Sequence, residues 1–91
     1  MADRAHRKDD KRDCGAKTVV VGQSTVFVNG RLWAVKDDPN DHGDGQLIPG
    51  GSLTVYAEGK LVIIKGDSAR PDDAGHADPK ADESSSDVFA G

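Results

Sequence analysis

"STVFVNGRLWAVKDD" at residues 24–38 reads almost the same as "LTVYAEGKLVIIKGD" at 53–67. With Val26 set on Val55 the offset is 29, and it holds without a gap for Gly22/Gly51, Thr25/Thr54, Gly30/Gly59, Leu32/Leu61, Lys36/Lys65 and Asp38/Asp67. Self-similarity at a fixed period near thirty residues marks a repeated supersecondary unit. Each unit reads as a β-hairpin. "STVFV" and "LTVYA" are β-branched and aromatic, "NG" and "EG" follow them, and "RLWAV" and "KLVII" lead away. Asn-Gly between two apolar runs favours a two-residue type I′ turn, because both central residues need positive φ. Further strands are expected at 17–22 and 46–51, and no segment has the 3.6-residue apolar period of a long helix.

A shorter third copy closes the chain. In "SSSDVFAG", Val88 falls on Val26 and Val55, Phe89 on Phe27 and Tyr56, and Ala90 on Val28 and Ala57. The expectation is one all-β domain over 1–91, a small cone of short β-hairpins with a pseudo-threefold arrangement. Its arms run approximately over 10–37, 38–66 and 67–91. Such a monomer has the shape to sit on the end of a true homotrimer. The stretch between Asp67 and Ser84 is polar, and by composition alone it reads as disordered.

Composition sets the limits. The chain has 91 residues, 35% hydrophobic, four of them aromatic, and a net charge of −4. A core is possible but thin, and small domains of this kind need a staple. The single cysteine, Cys14, excludes an internal disulfide and leaves a free thiol, an intermolecular bridge or a metal ligand. No apolar run approaches the ~20 residues of a membrane-spanning helix. The charged start "MADRAHRKDDKRD" reads as neither a signal nor a transit peptide, so synthesis in the cytoplasm is expected, with any export by another route. An acidic chain without a basic face is not expected to bind nucleic acid.

Nearly the same register picks out metal-binding chemistry. "DKRDCG" ending at Gly15 precedes "DPNDHG" ending at Gly43 by 28 residues, so Cys14 and His42 hold near-equivalent places. His76 follows a run of aspartates in the third arm, and His6 is the remaining histidine. One thiolate and three imidazoles would suit a closed tetrahedral zinc site without an open position for catalysis. Binding there would contribute directly to folding free energy. Three histidines and one cysteine are also an ordinary count, and C-x2-C spacing is absent, so spacing leaves both readings open. No enzyme is expected. The serines cluster in the polar "ESSSD", no phosphate-cradling glycine pattern precedes a helix, and the chain is too small to build a pocket around a Cys14–His42 nucleophile and base.

The stretches "GQSTVFVNGRLWAVKDD", "DHG" and "PGGSLTVYAEGKLVIIKGD" resemble the PAAR-repeat family, the pointed tips of contractile injection machines. The resemblance covers about 10–67 and extends to the end through "SSSDVFAG". Where that family carries Pro-Ala-Ala-Arg, this chain has Leu32-Trp33-Ala34-Val35 and Leu61-Val62-Ile63-Ile64, which is similar to the looser versions on contractile phage tails rather than to type VI secretion tips. The resemblance implies a cone whose base caps a trimeric β-helical spike, one tip per trimer, and whose apex holds structural zinc (or iron). The implied ligands are His6, Cys14, His42 and His76, with residues 68–83 running to the apex and back. The implied role is membrane piercing of the target cell envelope from a virion tail tip or baseplate, with secretion by a type VI system as the alternative. A metal-stapled adaptor without a piercing role is the rival reading. Apolar strand residues expected to dock on the spike are Val19, Val21, Phe27, Trp33, Val55 and Ile63.

Overall fold

The structure is a computed structural model and describes residues 3–51 and 54–90. Among these the fold is all-β, without a helix. Six two-residue strands pair antiparallel: β1 (Asp3–Arg4) with β6 (Phe89–Ala90), β2 (Phe27–Val28) with β3 (Arg31–Leu32), and β4 (Tyr56–Ala57) with β5 (Lys60–Leu61). The two connected hairpins turn at Asn29-Gly30 and Glu58-Gly59, whose φ angles are 52 and 80°, and 51 and 80°. All four are positive, as a type I′ turn requires. The runs at 17–22 and 46–51 make only isolated bridges, Lys17 with Lys11, Thr18 with Asn40 and Leu47 with Ala69, rather than the expected strands. Leu53, the first residue of the "LTVYA" run, lies outside the described residues.

The third pair joins the two ends of the chain. Phe89 faces Arg4 and Ala90 faces Asp3, in the register that Phe27 and Val28 hold against Leu32 and Arg31. Residues 3–10 therefore complete the unit that the C-terminal strand begins. "AHRKDD" at 5–10 aligns on "WAVKDD" at 33–38 and "VIIKGD" at 62–67 and sets His6 on Ala34 and Ile63.

Backbone hydrogen bonds repeat in this register. His6 N–H donates to Ile63 C=O, Ile63 N–H to Ala34 C=O and Ala34 N–H to His6 C=O, a closed ring of three bonds. Lys8, Lys36 and Lys65 donate to Leu32, Leu61 and Arg4, a second cycle that runs around the three arms in the opposite sense. Asp10, Asp38 and Asp67 each use a carboxylate oxygen to accept the backbone N–H three residues earlier, from Arg7, Val35 and Ile64. These aspartates are buried, and the bonds explain why Asp38 and Asp67 recur in the sequence. A buried carboxylate is tolerated only with such partners.

Two apolar clusters fill the interior. One gathers Ala5, Trp33 and Val62, Val35 and Ile64, and Val28, Ala57 and Ala90; the other holds Ala34, Leu47, Ile63, Ala69 and Ala81. Space in the first is limited by design of the sequence. A Cβ at Gly22 would meet Val35 Cγ2 at 2.6 Å, and one at its repeat partner Gly51 would meet Ile64. These glycines allow close approach of the chain rather than an unusual φ.

Burial corrects two of the expected docking residues. Trp33 is 8% exposed and Ile63 0%. Trp33 donates its indole N–H to Ile63 C=O at 2.9 Å, so both belong to the core. Val19 and Val55 are half-buried, and Val21 and Phe27 are exposed. Phe27, Tyr56 and Phe89, at repeat-related positions, are 59, 59 and 51% exposed, although the chain has only four aromatic residues.

Candidate metal centre

Three tight turns of one construction meet at one place. They begin at Arg12, Asn40 and Asp72, and each is closed by two backbone bonds. The fourth residue (Gly15, Gly43, Gly75) donates to the first, and the first donates to the fifth (Ala16, Asp44, His76). The glycines have φ of 90, 93 and 90°, which favours glycine over any residue with a Cβ. The sequences "RDCGA", "NDHGD" and "DDAGH" share aspartate in second place and glycine in fourth. Cys14 and His42 occupy the third place. In the third turn that place is Ala74, and the turn offers Asp72 and His76 from its first and fifth places instead.

Cys14 Sγ, one ring nitrogen each of His42 and His76, and a carboxylate oxygen of Asp72 lie within 4.8 Å of one another. The Oδ2 of Asp72 is 3.0 Å from His76 Nδ1, 3.4 Å from His42 Nδ1 and 3.9 Å from Cys14 Sγ. The two imidazoles stack with centroids 5.2 Å apart. A tetrahedral zinc ion with ordinary bond lengths has N···O edges of about 3.3 Å and S···O edges of about 3.6 Å. The three spacings from Asp72 match these to a few tenths of an ångström, and with all four donors within 4.8 Å of one another the group could hold one small divalent ion.

The surroundings hold Asp72 ionised and fixed. Its side chain is fully buried, which raises its pKa. Bonds from the His76 ring and backbone N–H, the Asn40 amide and the charge of His76 outweigh that burial and keep it well below the usual carboxylate range. Asn40 and Arg12, which open the other two turns, are also buried. The Arg12 guanidinium donates to the carbonyls of Asp38, Gly45 and Pro79 and to Thr18 Oγ1, so one cation links all three segments. Burial lowers its pKa to about 10, which leaves it charged at neutral pH.

His6, expected as a ligand, lies outside this cluster. It is 0% exposed and both ring nitrogens are engaged. Nδ1–H donates to Glu83 C=O at 2.6 Å, and Nε2 accepts from the Thr18 hydroxyl at 2.6 Å. The physical reason is its register: it belongs to the ring with Ala34 and Ile63, and its imidazole is committed to Glu83 and Thr18. Asp72 was not singled out from sequence. Aligning Gly75 on Gly15 and Gly43, rather than counting from Asp67, finds its turn. Residues 68–83 carry that turn and are tied to the rest of the fold by backbone bonds. Ile48 N–H bonds to Ser68 C=O on the way out, and Ala81 N–H to Asp67 C=O on the way back.

Compared with known proteins, the chain matches no family model and no curated protein.

Proposed function

We propose that the chain is a structural, non-catalytic tip that caps a trimeric β-helical spike in a contractile injection machine of the phage-tail type and leads it through a target cell envelope. The observation that carries this reading is the outward repetition of Phe27, Tyr56 and Phe89. A trimer ends in three equal surfaces, and a single chain that caps it needs three like surfaces of its own. Isologous or cyclic interfaces repeat one patch per subunit. Three half-exposed aromatic rings on three matched strand pairs answer that need, and aromatic residues are enriched in interface cores.

The rest of the geometry supports a rigid point. The cyclic bonds among His6, Ala34 and Ile63 favour a pseudo-threefold arrangement of the arms. At one end Asn29 accepts from Ser85 and donates to Asp87, and Glu58 accepts from Ser24 and Thr25, so each connected turn grips another arm. The other end would taper to the three turns, where a structural zinc ion (or iron) held by Cys14, His42, His76 and Asp72 ties loops that no apolar core reaches. Such an ion supplies cross-linking, and its binding free energy adds to folding.

Mixing the purified protein with trimeric β-helical spike proteins of contractile machines tests the reading. One tip per spike trimer in native mass spectrometry is expected, weakened when Phe27, Tyr56 and Phe89 are changed to aspartate. Absence of binding to the β-helical trimer would reject the tip role.

A further inference from the structure

We infer that Asp72 is the fourth ligand of the centre and that Asn40 is its positioning residue. The site is then a thiolate–bis-imidazole–carboxylate site for a divalent ion of the zinc, cobalt or iron(II) class. The inference rests on the metal-stapled reading above and specifies the chemistry of that centre.

Two turns give one donor each from their third residue, and the third turn has Ala74 there. A methyl group cannot bind a metal, so this turn contributes through other places. His76 alone would leave three protein ligands. Asp72 makes four, and its Oδ2 is the atom that approaches each of the other three donors.

The carboxylate is built to stay there. Oδ1 accepts the backbone N–H groups of Ala74 and His76, both at 3.0 Å, which fixes the carboxylate plane. Oδ2 accepts the Asn40 amide at 3.0 Å, and the other end of that amide accepts the N–H of His42, also at 3.0 Å. Asn40 thus spans two ligand-bearing turns and sets the Asp72 carboxylate against the His42 ring. Ligating carboxylates are held by outer hydrogen bonds of this kind, and losing one costs roughly 10–100-fold in metal affinity.

Charge agrees with the assignment. One thiolate and one carboxylate neutralise a dication, whereas one thiolate with three imidazoles would leave a net positive centre. A hard oxygen beside one sulfur also moves preference away from copper(I) and toward zinc, cobalt and iron(II).

The test is a cobalt(II) titration of the full chain, wild type against Asp72→Asn and Asn40→Ala, with far-ultraviolet circular dichroism to check folding. Wild type is expected to bind one cobalt with thiolate charge-transfer and intense tetrahedral d–d bands. Asp72→Asn is expected to bind about 100-fold more weakly and with weaker d–d bands. Asn40→Ala is expected to lose about 10–100-fold with the bands unmoved. Wild-type affinity and spectrum in folded Asp72→Asn would overturn the assignment while leaving the metal reading intact. No cobalt or zinc bound to wild type would overturn both. Should Asp72→Asn not fold, the 13C shift of the Asp72 carboxylate decides on wild type. It moves on adding one equivalent of zinc if Asp72 is a ligand, and an unmoved resonance in the zinc-bound protein overturns the assignment.

Discussion

Cys14 Sγ and Asp72 Oδ2 lie 3.9 Å apart across a sequence separation of 58 residues. They belong to different turns of the same construction, Cys14 to the third place of one and Asp72 to the first place of another. The likeness of the turns makes a direct prediction for Ala74, which takes the third place in its own turn. A histidine at 74 points toward the same centre as Cys14 and His42. In the Asp72→Asn background, Ala74→His is expected to recover at least about 10-fold in zinc affinity, about 1.4 kcal/mol. Competition with a chromophoric chelator measures it. No recovery would mean that the three turns are alike in backbone only.

The buried His6 makes stability depend on pH. Burial is the main cause that lowers its pKa, from 6.5 to about 4; the Glu83 carbonyl and Asp10 oppose the shift, and Arg12 and Arg7 add to it. Below pH 6.5 the unfolded chain takes up a proton at His6 that the folded chain refuses. This contribution is therefore complete above pH 6.5, declines as pH falls toward 4, and is flat below that. A shift of this size corresponds to about 3 kcal/mol. Between pH 7 and pH 4 the urea-unfolding free energy of wild type should fall further than that of His6→Gln, by about this amount in total. Comparing the two chains removes the part due to the other histidines, and equal slopes would contradict the burial of a neutral ring.

Core and surface apolar residues separate cleanly. Ile63→Ala should cost about 2–5 kcal/mol and Trp33→Ala about 3–5. Phe27→Ala, Tyr56→Ala and Phe89→Ala should each cost less than about 1 kcal/mol, since they lose a cross-strand contact and little burial. Chemical denaturation ranks all five. The aromatic variants should lose spike binding with stability nearly unchanged.

Gly22→Ala should destabilise by about 1–3 kcal/mol, because the new methyl meets the buried Val35 and the Asp38 carboxylate. Gly30→Ala has open space around it and a φ of +80°, so its cost is backbone strain alone, of order 1–2 kcal/mol. Thermal melts of the two variants, with Gly51→Ala as the repeat control, check whether glycine serves space at one position and φ at the other.

The hairpins were legible because Asn29-Gly30 and Glu58-Gly59 punctuate apolar runs at one fixed offset, and turn chemistry is local. Cys14 and His42 were legible for the same reason, each being followed by glycine in a copied turn. Asp72 was not, because the third arm is longer and shifts its turn out of register, and one aspartate among sixteen acidic residues gives no signal by type. His6 was misplaced because chemistry was read from residue type while position was left unread. Lys8 and Asp10 align with Lys36 and Asp38 and with Lys65 and Asp67, which puts His6 on the ring with Ala34 and Ile63. Trp33 and Ile63 sit in runs apolar on both faces, where alternation cannot tell core from dock.

Diffraction from zinc-loaded crystals at the zinc absorption edge tests the centre most directly. A single anomalous peak within about 2.0–2.3 Å of Cys14 Sγ, an Asp72 carboxylate oxygen and the Nδ1 atoms of His42 and His76 is predicted. A peak at His6, or none among the three turns, would contradict a chain whose arms are gathered by one ion.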